Sequence, residues 1–128
     1  MTDTTAKPAY PPVVTSVDAD RVAAFAAATS ADPALGVPPA FAAVYTLAAT
    51  MPQVLADEAL GIDLSRALHG EQEFTWTDHP REGEALVASG RIVEDVNKGD
   101  KRMVMIETAV TGDGSRPVCV SRMLLVIR

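Results

Sequence analysis

The spacing of apolar and polar side chains divides the chain into a helical first half and an extended second half. No charged residue occurs between Asp32 and Asp57, and the centre of that run, PPAFAAVYTLAATMPQVLA over 38–56, has no polar side at helical spacing. A helix apolar on all sides must be buried, so this stretch is predicted to be the core element that the remaining chain wraps. Pro38 and Pro39 suit a helix entrance, where the missing N–H has no partner to lose and φ is already helical. Pro52 removes a ladder bond and crowds the carbonyl four residues earlier, which predicts a kinked or two-part helix. In the two-part form Thr50 caps a second piece that runs to Leu60 and stops at Gly61. Prolines at 33, 38, 39 and 52, Ala in place of Leu and Ile, and Gln53 set the run apart from a membrane span of about 20 strongly apolar residues.

Ahead of this element, Val13 to Val17 reads as a short strand and Asp18 as the N-cap of a helix of about eleven residues, with Val22, Phe25 and Ala26 on one stripe. Asp32-Pro33 and Gly36 make a loop into the core helix. Gly61 to Leu68 is a connector, and from His69 the period changes to two. Phe74 and Trp76 alternate with Glu73, Thr75 and Thr77; Glu84–Val96, Arg102–Thr111 and Pro117–Ile127 follow, separated by turn signals at Lys98-Gly99-Asp100 and Asp113-Gly114. Four strands in series predict an antiparallel meander. Two of them are apolar on both faces: Val104, Ile106 and Val110 alternate with Met103, Met105 and Ala109, and Met123, Leu125 and Ile127 with Val120, Leu124 and Val126. A half-solvated sheet would alternate cleanly, so both faces are predicted to be covered, one by the helix and the other by the N-terminal segment or a second subunit. One helix clasped by a curved antiparallel sheet is an α+β hot-dog arrangement.

The length, 128 residues, is that of one domain, assigned to 12–128 with residues 1–11 as a loose arm. A net charge of −6 with scattered acids excludes a nucleic-acid or anionic-membrane partner, which would need clustered Lys and Arg. One cysteine, Cys119, excludes an internal disulfide and a Cys-rich zinc site, and reads as a small buried hydrophobe. His69 and His79 lack metal-site spacing, so no metal or other cofactor is expected. No G-x-S-x-G motif is present. The start, MTDTTAKPAY, has no apolar signal core, and a cytoplasmic protein is expected.

VPPAF at 37–41, LHGEQEFTW at 68–76, HPREGEAL at 79–86 and PVCVSRMLLVIR at 117–128 resemble, in order and spacing, the MaoC-like hydratases and dehydratases, particularly their N-terminal, FAS1-like dehydratase half. The likeness covers residues 12–128 and is nearest to the small dehydratase subunits that actinobacteria use on acyl chains. It implies a hot-dog domain and hydration of trans-2-enoyl thioesters to (R)-3-hydroxyacyl thioesters, or the reverse, on coenzyme A or acyl carrier protein. In that family an Asp and a His of a D-x-N-P-x-H motif supply acid–base catalysis. Here Thr29-Ser30-Ala31-Asp32-Pro33 stands in its place and Ala34, Leu35, Gly36 and Val37 lead directly into PPAF, with no histidine. The resemblance therefore implies no catalytic residue in this chain. It implies instead a scaffold and acyl channel completed by a hot-dog partner that carries the pair, or a homodimer.

Pro39, Phe41, Ala43 and Tyr45 are the candidate channel residues, and His69, at the HGEQEF position, is the fifth candidate contact. Core packing also accounts for Phe41 and Tyr45, and ordering of a sheet edge for His69. Arg81 and Lys98 are candidates for a carrier phosphate, though solvated turn residues of this type are common. Two other functions fit the same fold: a non-enzymatic acyl-binding module, and a thioesterase acting alone, which the lack of a carboxylate between Pro33 and Ala56 disfavours.

Overall fold

The computed structural model of the chain describes residues 7–128. Strand β1 (Val13–Ser16) leads into helix α1 (Ala19–Thr29), which starts where the Asp18 carboxylate accepts from the Asp20 N–H at 2.9 Å and ends at Ser30 in the left-handed conformation. Two short 3-10 turns, Pro33–Leu35 and Pro39–Phe41, then deliver the chain to helix α2 (Ala42–Ala56). Strands β2 (Ala67–Trp76), β3 (Ala85–Lys98), β4 (Lys101–Thr111) and β5 (Pro117–Ile127) complete the domain. All strand pairs are antiparallel, in the order β1-β3-β4-β5-β2.

The expected four-strand meander is thus corrected to three strands, β3-β4-β5, with β2 on the far side of β5. Gly99 and Gly114, both at positive φ, turn the β3–β4 and β4–β5 links tightly. Between β2 and β3 there is no such turn. Residues 77–84 cross the end of the sheet instead, and eight residues have reach to spare for the roughly 14 Å that three inter-strand steps require.

Helix α2 runs unbroken through Pro52, which corrects the expected two-part helix. Pro52 and Ala48, the residue whose carbonyl loses its bond, both lie on the exposed side of the helix. Thr50 caps nothing; its hydroxyl is 2.7 Å from that of Thr108 on β4, and both side chains are buried. The sheet-facing stripe is Ala42, Tyr45, Thr46, Ala49, Thr50 and Val54. Small residues bring helix and sheet together here: a Cβ at Gly90 of β3 would collide with the Thr50 side chain. Burial on all sides is also corrected, because Ala48, Leu55 and Ala56 are exposed and Val44 and Leu47 are half-buried. By length and composition alone Pro39–Ala56 is long and apolar enough to cross a membrane. In the fold its inner stripe is the core.

The core has two parts. One gathers Val17, Val22, Phe41, Tyr45, Leu86 and Val118 at one end of α2, and the other gathers Val54, Leu60, Ile92, Val104, Ile106 and Leu125 towards the opposite end. Of the expected loose arm, residues 1–6 lie outside the described residues. Residues 8–11 are tied to β3 and α2: Tyr10 N–H donates to the Gly90 carbonyl at 2.9 Å, Ile92 N–H to the Pro8 carbonyl at 2.8 Å, and the Tyr10 hydroxyl to Asp57 at 2.9 Å. Gln53 donates to the Pro11 carbonyl at 2.8 Å.

Candidate functional site

The loop that enters α2 is shaped by Asp32. Its carboxylate accepts from Ala34 N–H at 2.9 Å and its carbonyl from Leu35 N–H at 3.1 Å, which closes the first 3-10 turn. Gly36, at φ +83°, then reverses the chain in a conformation that side chains resist, and Pro39 opens the second turn. Facing this loop is the 77–84 crossover. A hollow of about 680 Å3 separates them, lined by Leu35, Val37 and Pro39 on one side and His79, Arg81 and Glu82 on the other.

The crossover is held rigidly by one buried carboxylate. Glu84 accepts from both Arg116 amino groups at 2.7 and 3.0 Å, from Asp113 N–H at 2.9 Å and from Arg81 N–H at 3.0 Å. The Arg116 bonds, against the opposing pull of burial, hold its carboxyl at about 2. Arg116 also reaches Asp78 at 2.8 Å and the His79 carbonyl at 3.3 Å. Gly112 leaves space for this knot, since a Cβ there would collide with the Glu84 carboxylate. The loop carrying His79 and Arg81 is therefore fastened to the β4–β5 hairpin.

Behind the hollow lies an aromatic chain. Phe25 meets Phe41 edge-on at 5.4 Å, Phe41 is 6.3 Å from Tyr45, Phe74 is 5.6 Å from Trp76, and Trp76 is 5.9 Å from the His79 ring. Tyr45 is buried beside Trp76 and Cys119, and its hydroxyl has no hydrogen-bond partner among the described residues. Burial first, and then the neighbouring Cys119, push its pKa up. Burial likewise raises that of the Cys119 thiol.

The five candidate contacts do not converge. Pro39 lines the hollow, Phe41 and Tyr45 are in the core behind it, and Ala43 is half-buried on α2. His69 stands seven residues from Trp76 along β2, about 23 Å at the strand rise, and bonds Gln72 at 3.2 Å. Strict alternation from His69 predicts Glu71, Glu73 and Thr75 on its face of the strand, and the structure corrects this. A bulge between His69 and Glu71 places His69 opposite Leu125 and Gln72 opposite Met123, on the helix side, while Glu71 and Glu73 face outward. Lys98 is separated from Arg81 by the whole of the 14-residue β3. His79, expected to be solvated in its turn, is exposed, and with Glu82 it lies across the hollow from Pro39. HPREG carried the only signal for them, and no spacing rule connects it to a loop more than forty residues earlier.

A helix lying across the concave face of an antiparallel sheet of this strand order defines a hot-dog domain. The chain belongs to the family described as the FAS1-like dehydratase domain region, which matches residues 9–120. A UPF0336 protein of Leifsonia xyli is 35% identical over 79 residues, 62% of this chain; the match spans 53% of that relative's length. Among solved structures, the HadBC (3R-hydroxyacyl-ACP dehydratase) complex of Mycobacterium tuberculosis has a similar fold, with a TM-score of 0.72 and 19% identity over 92% of each chain. The (R)-hydratase of A. caviae involved in PHA biosynthesis has one too, with a TM-score of 0.66 and 17% identity over the full length of both.

Proposed function

We propose that this chain is a subunit of a cytoplasmic (R)-specific enoyl-thioester hydratase/3-hydroxyacyl-thioester dehydratase, supplying scaffold and part of the acyl channel while a hot-dog partner carries the acid–base pair. The observation that carries this reading is Asp32. Its carboxylate is engaged in a local turn, and the loop that follows holds no histidine before α2 begins. Water addition needs a base to take the water proton and an acid to deliver one to the α-carbon, each contributing about 100- to 10,000-fold. One carboxylate at a turn does not fill both roles.

Two surfaces support a partner. Strand β2 is ten residues long and, among the described residues, pairs on one side alone, which leaves its outer backbone groups available. Helix α2 leaves Ala48, Leu55 and Ala56 uncovered. The hollow beside His79 and Arg81 is the entry for a thioester of coenzyme A or acyl carrier protein, with Arg81 near its phosphate and Phe41 and Tyr45 forming the wall of the acyl channel.

The test is turnover. Purified alone, the chain gives little or no hydration of crotonyl and longer trans-2-enoyl thioesters. Mixed with a hot-dog chain bearing the Asp/His motif, it raises turnover or extends the accepted chain length, and Asp32→Asn changes either little. Robust turnover by the isolated chain, abolished by Asp32→Asn or His79→Ala, overturns the proposal. Thioester binding with no gain from any such partner would identify a binding module instead.

A further inference from the structure

The convex face of the sheet carries a charge pattern that is its own complement. Across β3, β4, β5 and β2, the paired residues Arg91, Glu107, Arg122 and Glu73 form one row of alternating sign on that face. Glu107 sits inside the row, accepting from Arg91 at 2.8 and 3.0 Å and from Arg122 at 3.0 Å. Glu73 has no such ion pair among the described residues, and with Glu71, Met105 and Arg122 it lines a hollow of about 460 Å3. Two carboxylates facing one hollow make a receptor for a cation on a long stem. Arg91, at the other end of the same row, has a side chain 58% exposed.

We propose that this face docks against the same face of a second copy of the chain, about a two-fold axis that runs parallel to the strands between β4 and β5. Sheets packed face to face lie about 10 Å apart with their strands within about 30° of parallel. That rotation keeps each row in place and reverses its order. Arg91 then falls on Glu73 of the second copy, entering the hollow, and Glu107 falls on Arg122. In the row made by Val96, Met103, Val126 and Leu68, Met103 meets Val126 and Val96 meets Leu68, so apolar side chains, Leu68 at 60% exposure among them, leave water together. Met105 likewise meets Leu124, and Ala109 meets Val120. An axis perpendicular to the strands would set Arg91 against Arg91 and loses this match. Two matches are unfavourable in the proposed arrangement: Glu94 falls opposite Glu71, and at the end of the sheet the Lys98–Lys101 row, continued by Arg128 beside Arg66, meets its own positive charge. This assembly is independent of the β2 edge and so of the catalytic partner proposed above.

Sedimentation velocity on the purified chain, over a concentration series, tests the proposal. The wild-type chain self-associates, and Met105→Glu halves the mass of the particle at equal concentration while retaining the parent's far-ultraviolet circular dichroism. Arg91→Ala, at an exposed position, raises the dissociation constant about tenfold, and raised salt acts in the same direction. Glu94→Gln lowers it. A monomer at about 100 µM overturns the proposal, and so does a dimer whose mass neither Met105→Glu nor Arg91→Ala changes, since that particle is joined elsewhere. Should Met105→Glu lose its fold, Arg91→Ala and Glu94→Gln decide alone, by whether the dissociation constant moves in opposite directions.

Discussion

Strand β4 turns Val104, Ile106, Thr108 and Val110 towards helix α2 and Met103, Met105, Glu107 and Ala109 to the opposite side. The first four are at most 2% exposed. Of the second four, Glu107 is buried by its two arginines, both methionines are half-buried and Ala109 is exposed. The two faces are similarly apolar in sequence, yet one is filled by this chain and the other is not. Apolar periodicity thus marks both faces alike, and the fold of one chain shows which of them it covers itself. The two arginine-bound glutamates divide in the same way. Glu84 joins two loops within the fold, with a side chain 2% exposed, whereas Glu107 is 11% exposed on the open face.

The largest expected effect separates the faces directly. Val104→Asp buries an unpaired carboxylate against α2, a cost of several kcal/mol against a total stability of about 5–15 kcal/mol, and the variant does not fold. On the opposite face Met105→Glu melts within a few degrees of the parent at low concentration. Equal losses of melting temperature would show that both faces are core within one chain.

The next effect separates the glutamates. Arg116→Ala leaves Glu84 buried without its charge partner and lowers the melting temperature clearly. Arg91→Ala leaves Glu107 bonded to Arg122 and costs the isolated chain under about 1 kcal/mol. The same difference appears in pH dependence. Glu84 is held at about 2 against an ordinary 4.5, so its contribution is complete above about 4.5 and is lost as pH falls towards 2. Denaturant melts of the wild-type chain between pH 5 and 2 show this decline, and Arg116→Ala flattens it. Burial works to raise the pKa of Glu107, and the bonds from Arg91 and Arg122 outweigh it.

The smallest effect falls on Tyr45→Phe. Its hydroxyl is buried without a partner, so removing it leaves stability unchanged or raises it by under about 1 kcal/mol. In the proposed complex, a hydroxyl that meets the acyl thioester makes turnover of Tyr45→Phe fall while thermal stability does not.

By itself, the sequence determined the element types and the class of fold. Uncharged residues from 38 to 56 define a core helix because a charge inside it would be unpaired, and period two with glycine turns at 99 and 114 defines β3, β4 and β5 because those signals are local. It also determined that the loop at Asp32 lacks a histidine, since that requires only reading residues in order. Tertiary structure alone decided where β2 lies, because a strand followed by an eight-residue crossover carries no local mark of its neighbour. It decided that α2 continues through Pro52, since the cost of a proline depends on which side of the helix it occupies. His69 moved to the helix side of β2 through one bulge residue, and His79 and Arg81 came to Pro39 through the Glu84–Arg116 knot. These contacts join segments far apart in the chain, and periodicity, which compares near neighbours, has no access to them.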